Sequence, residues 1–417
     1  MNKKVVIIGG GIIGLCTAYY LEKEGCQVSI IDKSDMNSGA SYINAGYITP
    51  SHIIPLASPG MVSKGLRYMF NSASPFYIKP RLDIDFIKWA WYFKKSSTKA
   101  KVEKAIRVIK DSNEISRELF IDIKSSGDLG DFHIERKGLL MLYQTQKEGD
   151  YEMQIAEKAK FIGLEVNHLN ALEIKKIEPN ITINALGAVH YQCDAHTTPN
   201  DFMLKMISYL VSKGVKIHKK EEVLKINSQA NKINSIETSK NTYHADEVVF
   251  ATGSWTKDLV KKIKIKLPLQ AGKGYSINVS SETNISMPAI LLEAKMAVTP
   301  MKGFTRFAGT MEFSGINNKI RENRVNIIAK NASEFYNNLK ITKEDISKAQ
   351  CGLRPVTPDG LPYIGRSSNY NNLIIATGHA MMGWSLGPLT GKLATQLVTN
   401  KKTMMNISQF HPERKFY

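Results

Sequence analysis

The stretch from Lys3 to Asp32 constrains this chain more than any other. An apolar, β-branched run, Val5-Val6-Ile7-Ile8, enters Gly9-x-Gly11-x-x-Gly14; a segment rich in Ala, Leu and Glu follows, and after Gly25 a second apolar run, Gln27 to Ile31, ends in Asp32. That order predicts strand, helix, strand. A backbone approaches a pyrophosphate closely only where side chains are absent, and the helix N-terminus then faces the negative charge. A carboxylate closing the second strand accepts hydrogen bonds from an adenosine ribose. The unit therefore reads as dinucleotide-binding, although the motif alone does not choose between a nicotinamide and a flavin.

At 417 residues the chain exceeds one simple core and predicts two domains, interleaved in sequence. With 43% hydrophobic and 23% charged residues it is an ordinary globular protein, which excludes disordered and fibrous classes. Cys16, Cys26, Cys193 and Cys351 show no CxxC spacing, so a reducing cytoplasm is expected, with no disulfide framework and no metal. The opening lysines and apolar run imitate a signal peptide, yet the run carries the phosphate-binding glycines. Ser367 to Gly391 is uncharged but rich in polar residues and glycine, so no membrane span is expected. The net charge of +18 is spread over lysines along the whole chain without interleaved aromatics, which argues against a nucleic-acid partner.

Ser38 to Gly46 is a small-residue loop suited to lie flat against a phosphate or a ring. From Ser58 to Ser126 the pattern becomes helical, and the aromatics between Phe86 and Phe93 suit either core packing or a membrane interface. Glu247 to Phe250 reads as a buried strand whose carboxyl end, Ala251-Thr252-Gly253, is where an open α/β sheet holds a ligand. Leu373 to Ala376 is a further strand, and Thr377-Gly378-His379 through Gly383-Trp384 is read as opening a helix to about Val398, its partial positive charge aimed at an anionic ring. Asp194 and His196 place a carboxylate near an imidazole, too few ligands for a metal site. The expected division is a dinucleotide domain of residues 1–57, 164–266 and 351–417, and a second domain of residues 58–163 and 267–350.

Together these motifs resemble the D-amino-acid oxidase and glycine oxidase superfamily of flavoproteins, most closely the bacterial D-amino-acid dehydrogenases. The resemblance covers nearly the whole chain. It rests on the Gly9 to Asp32 unit, Ser41-Tyr42-Ile43-Asn44-Ala45-Gly46, the stretch from Ser74-Pro75 through Pro80-Arg81-Leu82 to Trp89, Ala251-Thr252-Gly253, Gly274-Tyr275-Ser276, Arg354-Pro355 to Gly365, and Thr377-Gly378-His379 with Gly383-Trp384.

The resemblance implies an α/β fold, a Rossmann-like FAD-binding domain interleaved with an α+β substrate domain that carries a mostly antiparallel sheet. It implies FAD, bound without a covalent link. Gly9, Gly11, Ile12, Ile13 and Gly14 would meet the pyrophosphate, Asp32 the ribose with Lys33 beside it, and Val223 the adenine. Ser41, Asn44, Ala45, Gly46, Ala251 and Gly253 would line the cofactor, with Gly383 and Trp384 facing the flavin. Arg354 would pair with a substrate carboxylate, a role that suits the fixed fork of a guanidinium. Tyr275 would assist it or be a core tyrosine, and His379 would approach the flavin or be structural. Glycine oxidase carries a second arginine where this chain has Met381, a departure that favours a roomier, more apolar pocket.

The implied reaction is oxidation of D-amino acids to 2-oxo acids and ammonia by hydride transfer from Cα. The alternatives are a secondary amino acid as substrate, O2 as direct oxidant, or a basic nucleic-acid- or membrane-binding protein that keeps the fold as a relic. With a single nucleotide fingerprint, the electrons are expected to leave to a respiratory quinone or another non-nicotinamide acceptor. A quinone would bring peripheral contact with the inner face of the cell membrane.

Overall fold

The computed structural model describes residues 3–60, 76–79 and 82–416. Lys4–Ile8 (β1) and Gln27–Ile31 (β2) pair in parallel, joined by the helix Ile12–Lys23 (α1), so the opening unit forms as its pattern predicts. Apolar residues cover almost the whole of α1 because it is enclosed on all sides: the sheet lies beneath it, and the helices Pro199–Ser212 and Gly387–Val398 pack over it. Gly391 permits the closest approach, since a Cβ there would stand 2.5 Å from the Cys16 main chain.

The parallel sheet runs, in spatial order, Lys216–His218, β2, β1, Glu247–Phe250 and Leu373–Thr377, with Tyr363–Arg366 added antiparallel at the edge. A second, nine-stranded sheet, counted over the described residues, runs Gln350–Val356, Gln270–Val279, Phe304–Phe313, Met296–Met301, Ala289–Leu291, Leu139–Tyr143, Gly187–Tyr191 and Val166–Asn170, with Phe76–Ile78 beside Phe304–Phe313. Its pairings are antiparallel except at Ala289–Leu291 with Leu139–Tyr143 and at Phe76–Ile78. On one face the helix Glu322–Phe335 buries Val325, Ile328 and Ala329 against Tyr275, Ile277 and Val279.

Two expectations need correction, the domain division and the start of the last helix. The division at residues 164 and 351 does not follow the sheets, because Val166–Asn170, Gly187–Tyr191 and Gln350–Val356 are all hydrogen-bonded into the second sheet. Strand propensity is a local property and does not say which sheet recruits a strand. Val223–Gln229 forms a separate antiparallel three-stranded sheet with Lys232–Thr238 and Thr242–Tyr243. The last helix begins at Gly387, not at the Gly378-His379 turn. The aromatics of the helix Ile84–Ser96 divide between core and solvent: Phe86 and Trp89 pack on Phe313, and the Trp89 indole donates to the Val356 carbonyl at 2.9 Å, while Ile84, Ile87 and Trp91 stay exposed. Among the described residues no helix is long and apolar enough to cross a membrane. Ser74-Pro75 and Pro80-Arg81 lie outside the described residues.

Candidate active site

Main-chain packing at the end of β1 leaves no room for side chains. Gly9 has φ +106°, and a Cβ there would lie 2.5 Å from the Ala251 carbonyl oxygen; one at Gly14 would overlap the Gly9 carbonyl oxygen. Gly11 caps α1 in an extended conformation, and the Ile12 amide donates to Ser41 Oγ at 3.0 Å. Asp32 is fixed from below: the Gly10 amide donates to Oδ2 at 2.7 Å, and the Ser34 amide and hydroxyl donate to Oδ1 at 2.8 and 2.6 Å. The Lys33 ammonium stands 4.2 Å from the centroid of the Trp255 ring, a cation–π contact that anchors its free end.

The loop Ser38 to Gly46 is held from behind by a residue that the sequence motifs do not reveal. Arg306 is fully buried, and its Nη1 donates to the carbonyls of Tyr42 and Asn44 at 2.7 and 2.6 Å while Nε donates to Asn278 Oδ1 at 2.9 Å. Burial pushes this guanidinium down to about 10, so it remains charged at neutral pH. Thr299 Oγ1 donates to the Ala45 carbonyl, and the Gly46 amide donates to Asn44 Oδ1, both at 2.8 Å. Gly46 has φ +76° and presses on the Thr197 carbonyl. Thr197 in turn accepts the Trp384 indole N–H at 2.8 Å. The Trp384 ring is thus core, packed on Phe120 and Phe202, and only its main chain is available to a ligand.

A cleft of about 1470 Å³ connects these parts. It runs from Gly9, Ile12 and Ile13 past Asp32, Lys33 and Val223, along Ser41, Ala45, Ala251 and Gly253, and past Gly383 to Arg354. That exceeds the roughly 300–1,000 Å³ of most small-molecule sites and suits a dinucleotide with a substrate beside it.

At the far end Arg354 Nη1 donates to the Thr310 carbonyl at 2.9 Å. Gly274, on the adjacent strand, makes room for it, since a Cβ there would overlap the guanidinium. Thr310 sits at φ +65°, unusual for a β-branched residue. Strain of this kind concentrates at functional sites. Among the described residues no carboxylate lies within ion-pair distance of Arg354, and burial pushes the guanidinium down to about 10, which leaves it cationic at neutral pH.

The two other catalytic candidates, Tyr275 and His379, are engaged elsewhere. Tyr275 and Lys273 side chains lie on the face covered by Glu322–Phe335, whereas Gly272 and Gly274 face the Arg354 side. The Tyr275 hydroxyl donates to Glu312 Oε2 at 2.8 Å, and Lys273 Nζ stands 3.2 Å from Glu312 Oε1 with Arg324 Nε 3.6 Å from Oε2. Burial and this carboxylate raise the Tyr275 hydroxyl pKa far above its ordinary value. His379 turns its Nε2 to Thr390 Oγ1 at 2.9 Å, and burial pushes it down to about 3. It is a neutral structural imidazole, and so is His52, pushed down to about 4.

Comparison with known proteins gives the family and the fold. The FAD dependent oxidoreductase family matches residues 4–397. The D-amino acid dehydrogenase of Helicobacter pylori is 30% identical over 399 residues, 95% of each chain, and that of Neisseria meningitidis serogroup C is 29% identical over 413 residues, 96% of each. Among solved structures, glycine oxidase from Geobacillus kaustophilus superposes with a TM-score of 0.76 at 22% identity, covering 99% of this chain and 100% of its own. L-proline dehydrogenase from P. horikoshii gives 0.74 at 20% identity, covering 99% and 97%. These two likenesses are of fold.

Proposed function

Because the chain belongs to the family of FAD dependent oxidoreductases, we propose that it is a D-amino-acid dehydrogenase, which converts D-amino acids to 2-oxo acids and ammonia and passes the electrons to a quinone or another non-nicotinamide acceptor. FAD fits the residues present. The overlap that any side chain at Gly14 would make with the Gly9 carbonyl leaves a main-chain corner for a pyrophosphate. Asp32, held by the Gly10 amide, would meet a ribose, and the clamped Asn44-Ala45 main chain lines the middle of the cleft. When bound, FAD supplies the two-electron acceptor for hydride leaving the substrate Cα.

The single observation that carries the reading is Arg354, a half-buried cation that faces the cleft, braced by the strained Thr310 and given space by Gly274, with no carboxylate of the described residues to neutralise it. A substrate carboxylate completes it through two parallel charge-assisted bonds, which fix orientation as well as charge. Leu56, Met311 and Ala380 beside it offer an apolar setting for a side chain. His379 Nε2 is taken up by Thr390 and His52 Nδ1 by Ser51, and burial lowers the basicity of both rings, so neither is assigned as the base on Cα–H. The amine therefore reacts as the neutral base, and this protein's contribution is mainly positioning. Hydride loss from Cα and proton loss from nitrogen leave an imino acid, which water hydrolyses to the 2-oxo acid and ammonia.

Anaerobic addition of D-alanine, L-alanine, D-proline and sarcosine to the yellow protein tests the substrate class. Bleaching of the flavin band by D-alanine, with the L-enantiomer inert, is expected. Bleaching by sarcosine or L-alanine alone would replace the proposal with a different amine substrate.

A further inference from the structure

We propose that His133, Glu135 and His196 form a binding site for a divalent transition-metal ion of the zinc class, outside the cleft and independent of the reaction there. The sequence reading found Asp194 and His196 too few for a metal. Asp194 indeed turns away, accepting the Ser51 amide at 3.0 Å and the Ser51 hydroxyl at 2.5 Å. Chain pairing supplies other ligands instead. Ile134–Glu135 and Ala195–Thr197 run antiparallel with Glu135 directly opposite His196, so their side chains share a face. His133, two residues before Glu135, returns to that face.

The geometry suits the ion. Glu135 Oε1 lies 3.4 Å from His133 Nε2, and Oε2 lies 3.7 Å from His196 Nε2. Bonds of about 2.1 Å to a tetrahedral zinc require neighbouring ligand atoms roughly 3.4 Å apart. The candidate ligand atoms of the three residues all fall within 4.8 Å of one another. His133 is already oriented as a ligand, because Nδ1 hydrogen-bonds Thr198 Oγ1 at 2.8 Å and leaves Nε2 towards Glu135. His196 supplies the independent observation: it is fully buried, yet neither ring nitrogen makes a hydrogen bond of ordinary geometry, with the Pro300 carbonyl as its main-chain neighbour and Glu135 Oε2 3.7 Å from Nε2. A buried imidazole without a well-formed hydrogen bond bears a desolvation cost that a metal bond removes.

One charged group opposes the ion. Lys137 Nζ pairs with Glu135 Oε2 at 2.7 Å, from a half-exposed side chain that is able to swing into solvent. Glu135 is half-exposed, so water would be available as a fourth ligand. The consequence for the fold is a staple between Ile134–Glu135 and Ala195–Thr197, one residue from Thr197, which bonds Gly46 and Trp384 at the back of the cleft.

The test is isothermal titration of Zn²⁺ into tag-free, EDTA-stripped, flavin-loaded protein. Wild type is expected to bind one Zn²⁺ per chain and to gain a higher Tm. Glu135→Gln keeps side-chain size at a half-exposed position, so it should hold its flavin spectrum while binding falls by at least the roughly 10- to 100-fold that loss of even an outer-shell partner costs. His196→Gln should do the same. Lys137→Gln, which removes the competing ammonium, should bind more tightly than wild type. Absence of saturable binding in wild type, or unchanged affinity in Glu135→Gln, would overturn the site. Neither readout depends on the amino-acid chemistry.

Discussion

At the pyrophosphate end of the cleft, one short segment builds the wall from main chain: Gly9, Gly10 and Gly11, with Gly14 packing the helix against Gly9 behind them and Asp32 hydrogen-bonded to Gly10. At the substrate end the wall comes from three strands far apart in sequence, with Arg354 on one, the Thr310 carbonyl on the next but one, and the gap left by Gly274 between them. The first end depends on the absence of side chains and the second on one side chain held under strain. Damage at the two ends should therefore separate cleanly, the first losing cofactor and the second losing substrate with cofactor intact.

The largest effect is expected from Gly14→Ala, whose methyl group would overlap the Gly9 carbonyl. The purified variant should carry almost no flavin by absorbance ratio; wild-type flavin content would break the contrast at once. Arg354→Ala should keep its flavin and lose about 4 kcal/mol of transition-state binding, roughly 1000-fold in kcat/KM, as expected when one partner of a buried charge pair is removed. Loss of flavin in that variant would merge the two ends.

Arg306→Met tests whether the middle of the cleft depends on a remote brace. The carbonyls of Tyr42 and Asn44 would lose their donor, so unfolding free energy should fall by about 3 kcal/mol, with weaker flavin retention; urea titration and flavin release measure both. Flavin retention equal to wild type would mean that the loop keeps its shape without the arginine.

A pH effect comes next. Burial pushes Asp194 up to about 7, so between pH 4 and 7 the native state holds a proton that the unfolded chain has released. Stability should fall as pH rises through that window and level off above it. Asp194→Asn, which can preserve both Ser51 contacts, should flatten the Tm profile there. A slope equal to wild type would assign the dependence to other groups. The smallest change is expected from Tyr275→Phe: KM within about twofold of wild type and a stability loss of about 1 kcal/mol from the missing bond to Glu312. A tenfold rise in KM would put the hydroxyl on the substrate after all.

The same contrast explains what was legible before the structure. The Gly9 to Asp32 unit is local, with periodicity, turn and acid inside one segment, and it forms as read. Arg354 was legible only through the resemblance of its motif. Tyr275 stayed open between substrate and core because a tyrosine next to Gly274 carries no sign of which face of a strand it takes; the face is set by Glu312, Lys273 and Arg324, brought together by tertiary packing. Arg306 and the His133–Glu135–His196 cluster left no motif, since their partners are main-chain carbonyls or cross-strand neighbours. The Gly378 turn repeats the grammar of the N-terminus, but its helix starts at Gly387, beyond Gly383.

The central claim is that Arg354 binds the substrate carboxylate, and its most direct test pairs a change in protein with a change in substrate. Anaerobic flavin reduction would be timed with D-alanine and with D-alaninamide, in wild type and in Arg354→Ala. The account predicts that wild type reacts much faster with D-alanine and that the variant treats the two almost alike. Undiminished preference for D-alanine in Arg354→Ala would contradict it and move the carboxylate to another part of the cleft.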